Sequence, residues 1–87
     1  GGLQGDEAQV ILDELEESFT LNQKLQRLDG IAFVGSLLGQ VLAAVGLRRE
    51  ALAVLDQAAA AFVRLKQDGQ VAQIRVMRAR LQQTSAE

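Results

Sequence analysis

Few side chains in this sequence could do chemistry. The serines are Ser18, Ser36 and Ser85. A serine nucleophile needs a general base beside it, most often imidazole, and the chain has no histidine. It also has no cysteine, which removes thiolate nucleophiles, disulfides and thiolate metal sites. Carboxylates crowd one stretch, Asp13, Glu14, Glu16 and Glu17. A hard cation takes oxygens that converge from a turn or loop. On a helix these four spread round its polar side and read as a solvated acidic face. Gly35-Ser36-Leu37-Leu38-Gly39 has two glycines four apart, a helix-dimer signal only inside an apolar span of roughly 20 residues. The most apolar run, 31–45, is shorter than that and is interrupted by Ser36 and Gln40. No phosphate-cradling loop precedes a helix. The expectation is a protein without catalytic activity, cofactor, metal or membrane span.

The elements that must carry these residues are helices. Ala, Leu, Gln and Glu dominate and no stretch alternates with period two. Of 87 residues 48% are hydrophobic, but 13 are alanines and three are aromatic (Phe19, Phe33, Phe62), so the core is a thin seam between helices. A first helix starts near Asp6, read as its N-cap, with Ala8, Ile11, Leu12, Leu15, Phe19 and Asn22 on one face. Leu21, Leu25 and Leu28 offer a continuation to Asp29, where Asp29-Gly30 breaks the chain. A second helix, about 30–45, is apolar nearly all round and is expected to be covered on most sides. Gly46 suits the residue past its end. A third, about 48–66, buries Ala51, Val54, Leu55, Ala58, Phe62 and Leu65, with Leu52, Ala59 and Val63 on a second flank. Asp68-Gly69 repeats the earlier punctuation. A fourth helix then runs to about Gln83, with Ile74, Met77 and Leu81 inward and Ala72, Val76 and Ala79 on a separate stripe.

The chain echoes itself. Asp29-Gly30 and Asp68-Gly69 stand 39 residues apart. Glu7-Ala8, Ile11-Leu12-Asp13 and Phe19 match Glu50-Ala51, Val54-Leu55-Asp56 and Phe62 at an offset of 43. The difference implies about one extra turn of chain before Asp29. Between Leu38 and Ala58 the sequence resembles a tetratricopeptide repeat, with Leu38-Gly39, Leu42, Gly46, Ala51, Leu55 and Ala58 at that family's spacing. The period exceeds the family's usual ~34 residues, as in a longer-helix variant holding about one full repeat and two half repeats. The family's first bulky position falls on Gly35, its usual terminal proline is replaced by Val63, and Arg78 stands at a small-residue position. The arginine marks the fourth helix as a cap or cut end on which no further helix packs closely.

The resemblance implies an all-α fold of antiparallel helical hairpins, about four helices in a right-handed superhelical stack over residues 6–83. The first five residues read as a tag remnant or flexible start, and 84–87 as a flexible end. It further implies a protein or peptide partner on the concave face. The positions lining that face would be Phe33, Ser36, Gln40 and Ala43 on one helix and Ala72, Arg75, Ala79 and Gln82 on another. The Lys/Asn clamp of chaperone-binding members is not reproduced, because Ser36 and Gln40 occupy its places. The alternative is a four-helix domain whose role is to form a homo-oligomer through Ala72, Val76 and Ala79, with Leu3 and Val10 uncovered at the other end. Residues 1–20 carry six acids and no base, while 60–87 carry five bases and two acids. That asymmetry suits attraction between copies. Nucleic acid is not an expected partner, since the net charge is −2 and no aromatics interleave the bases. The chain is expected in the cytoplasm.

Overall fold

A computed structural model of the chain describes residues 5–84, with side chains from 7 to 83. They form four helices, α1 (Gly5–Lys24), α2 (Leu28–Ala44), α3 (Arg48–Arg64) and α4 (Asp68–Thr84), and no strand. The all-α expectation holds. Three-residue turns join the helices, so each runs antiparallel to the next. Leu3 and the ends 1–4 and 85–87 lie outside the described residues.

Each turn is built the same way. Gln26, Gly46 and Lys66 have φ of 56°, 87° and 60°, and they stand 20 residues apart. Two hydrogen bonds close each helix end: Gln26 N–H to Gln23 O (3.1 Å) with Arg27 N–H to Asn22 O (3.0 Å); Gly46 N–H to Ala43 O (3.1 Å) with Leu47 N–H to Leu42 O (2.8 Å); and Lys66 N–H to Val63 O (3.0 Å) with Gln67 N–H to Phe62 O (2.9 Å). This is the Schellman arrangement, which satisfies carbonyls that a helix end leaves open.

The turns correct the sequence reading. Asp29-Gly30 and Asp68-Gly69 do not break the chain; they lie in the first turns of α2 and α4. There the aspartates sit favourably at the positive end of the helix dipole. Leu25 belongs to the first turn and Leu28 opens α2, so α1 stops at Lys24, with Leu21 and Leu25 exposed. Asp6 lies inside α1 rather than before it. The hairpin period is 40 residues, not 39, because Asp29 is the second residue of α2 whereas Asp68 is the first of α4. The offset of 43 is accounted for as expected: α1 has 20 residues against 17 in α3.

Packing follows chain order. α2 lies most extensively against α3, α1 packs on α2, and α4 packs on α3, while α1 and α4 make no substantial contact. The radius of gyration, 12.9 Å, is a little above the ~12 Å of a compact chain this size, as an open row requires. One core cluster joins α2, α3 and α4 through Ala32, Leu55, Phe62 and Ile74; the other joins α1, α2 and α3 through Leu12, Phe19, Leu38, Leu42 and Ala51. No polar side chain is buried among the described residues. Of the inward stripe read for α3, Ala51, Leu55, Ala58 and Phe62 are buried and Ala61 joins them, while Val54 and Leu65 are half-buried; on α4 Val71 joins Ile74. α2 is covered on most sides and opens only along one line, Asp29, Phe33, Leu37, Gln40 and Ala44. One expectation fails: Val63 is exposed rather than packed on a second flank.

Small residues set the helix spacing. A Cβ at Gly39 would stand 2.5 Å from Leu55 Cδ2, and one at Gly35 would stand 2.9 Å from Phe19 Cε1. At Gly35, where the resembled family puts bulk, the bulk comes instead from the facing ring of Phe19.

Candidate interaction site

Between α2 and α4, over α3, lies a groove of about 210 Å³ lined by Gly39, Gln40, Ala43, Leu55, Met77, Arg80 and Leu81. Gly39 lowers the floor so that Leu55 reaches it, and half-buried Met77 and Leu81 form the α4 wall. Arg80 and Gln40 are exposed at the rim and supply the polar groups. The arrangement can receive an apolar side chain and pair a neighbouring carboxylate with the guanidinium.

The expected partner-facing residues divide here. Gln40 and Ala43 line the groove. Phe33 is 50% exposed and stacks at right angles on Phe62, with ring centroids 5.1 Å apart. It is thus both a surface residue and a lid on the core. Ser36 is half-buried on α2. Ala72, Arg75, Ala79 and Gln82 are exposed on α4, but none of them lines the groove. The 39-residue alignment set α4 back by one position. At the true period of 40 the counterpart of Gln40 is Arg80, and Arg80 is the residue that faces it across the groove. Met77 and Leu81 read as plain core from their spacing. They are core on one side and groove wall on the other.

Arg78 also departs from its reading. Read as the mark of a cap or cut end, it instead reaches back to α3, where its Nε lies 2.7 Å from Asp56 Oδ1. The outer face belongs to Ala72, Val76 and Ala79, all exposed as expected.

Ser18 accepts a weak contact from Asn22, whose amide donates to the Ser18 carbonyl oxygen at 2.8 Å, one turn back on the same helix. The acidic residues Asp13, Glu14, Glu16 and Glu17 are exposed along α1. No group of three or more potential metal ligands converges among the described residues, and no helix there is long and apolar enough to cross a membrane. No family model, curated protein or solved structure matches the chain.

Proposed function

We propose that the chain is a non-catalytic protein-interaction module, a tetratricopeptide-like segment that holds a short peptide in the groove between α2 and α4. The observation that carries the reading is the groove itself: an apolar trough over Leu55 with one arginine on its rim. Its ~210 Å³ falls below the roughly 300–1,000 Å³ of small-molecule sites, which suits a side chain better than a cofactor. The occupant that fits is an apolar residue followed by an acidic one, the first against Leu55 and Met77, the second on Arg80. The resemblance at Leu38-Gly39, Leu42, Gly46, Ala51, Leu55 and Ala58 adds support, because members of that family bind peptides against the helices equivalent to α2 and α4.

The test is selection from a displayed library of peptides pairing apolar with acidic residues. Titration of the isotope-labelled chain should then shift the backbone resonances of Gln40, Ala43, Met77 and Arg80, and Arg80→Glu should abolish the shifts. Failure to enrich any peptide, or shifts that map elsewhere, would overturn the reading.

A further inference from the structure

The row of helices is open, so each end helix has one face that no other helix among the described residues covers. On α1 the outermost line is Val10, Glu14, Glu17 and Leu21; on α4 it is Ala72, Val76, Ala79 and Gln83. The spacing along both lines is the same, i, i+4, i+7, i+11, which keeps four residues on one side of a helix over three turns. All eight side chains are exposed. The large apolar ones are markedly so, with Val10 at 55%, Leu21 at 56% and Val76 at 52%.

Charge distinguishes the two ends. α1 carries six acids and one base, α4 one acid and three arginines. Arg78 is engaged with Asp56 on the neighbouring helix. Arg75 and Arg80 flank the Ala72–Val76–Ala79 line and form no ion pair among the described residues. The faces are therefore complementary in two respects. The small residues of α4 leave a second helix room to approach closely, and the arginines border that line while Glu14 and Glu17 lie on the line of α1, so the two faces carry opposite charge.

We propose that the chain assembles head to tail with copies of itself, the outer face of α4 in one copy docking on the outer face of α1 in the next. The contact is heterologous, so one surface never satisfies itself and growth passes beyond a dimer. Each junction extends the row by the same antiparallel helix-on-helix step that the chain already makes three times. The proposal goes beyond the peptide groove and uses the outer face of α4, with Arg80 at the edge the two surfaces share.

Sedimentation equilibrium of the full chain tests it. The average mass should climb past that of a dimer as concentration rises, and should fall back at about 1 M salt, where the screening length is about 3 Å. Val10→Asp and Val76→Asp should each weaken assembly by about tenfold or more. Mixed together they should form a one-to-one dimer that grows no further, since each retains the one end the other lacks. Arg75→Glu and Glu14→Arg give a second measurement: each alone should assemble poorly, and the mixture should assemble again. Arg75 is chosen because Arg80 also belongs to the groove, so a lost peptide and a lost junction stay distinguishable. Circular dichroism confirms that each variant keeps its helices. A mass that levels off at monomer or dimer, or a Val10→Asp variant that assembles as the parent does, would overturn the proposal.

Discussion

Replacing Gly39 by alanine sets two effects of opposite sign against each other. Within a helix, alanine is better than glycine by about 0.8–1.0 kcal/mol. The added Cβ, however, would stand 2.5 Å from Leu55 Cδ2 and 2.6 Å from Leu55 Cγ, against the roughly 3.5–4.0 Å at which carbons rest in contact. A shift of about 1 Å is needed. Leu55 is among the most completely buried side chains and packs between α2 and α4, so moving it toward the groove, its one open side, loses contacts it now makes with both helices. Overpacking of this kind costs about 1–3 kcal/mol. The net expectation is a loss of about 1 kcal/mol, or a melting temperature lower by about 4–8 °C for a domain of this size. Gly69→Ala is the matched control. Gly69 lies in the first turn of α4 with nothing within 4 Å of its Cβ position, so the same substitution should leave stability unchanged or raise it. Urea unfolding followed by circular dichroism at the helix bands measures both. If Gly39→Ala proved as stable as Gly69→Ala, α2 and α3 would not cross at Gly39 and the packing argument would fail.

Gly35→Ala should also destabilise, and by less in a Phe19→Leu background, because the Phe19 ring is the nearest obstacle at 2.9 Å; a double-mutant cycle in thermal unfolding reads the coupling. Lys66→Gly should stabilise by about 0.5–1 kcal/mol, since a side chain at φ 60° costs about 1–2 kcal/mol and glycine's greater freedom when unfolded returns part of that; Gly46→Ala, at φ 87°, should lose stability in the same assay. Asp56→Ala should cost no more than about 1 kcal/mol, and less in high salt, because both partners of its ion pair with Arg78 remain partly exposed at 56% and 33%.

The helices were legible because their periodicity is strong. Spacing alone puts Leu12, Phe19, Ala51, Leu55, Ala58, Phe62 and Ile74 inward, and all are buried, as are Leu38 and Leu42, which the family resemblance singles out. Two of the three turns were not legible, and the reason is local. Gly46 announces a left-handed residue, whereas Gln26 and Lys66 adopt the same φ without any signature in the sequence. The Asp-Gly pairs took their place as punctuation. Gly30 is there for a different reason, since a Cβ would collide with the Asn22 amide of α1. That misplacement by one residue carried through to α4 and hid Arg80 from the groove. Nor does hydropathy alone separate Phe33 and Leu37, which face outward, from Leu38 and Leu42, which do not. The difference depends on which neighbour lies on which side, and that is a property of the assembled row.

The order of packing along the chain also bears on how fast it forms. Every substantial contact joins helices consecutive in sequence, so no loop longer than one hairpin has to close before apolar surface is buried. Chains organised this way fold in microseconds to milliseconds. The same feature makes the ends the weak places. α1 and α4 each rest on one principal neighbour, so either can peel away while the α2–α3 hairpin stays intact, and unfolding proceeds inward like the fraying of a rope rather than by the bursting of a closed shell.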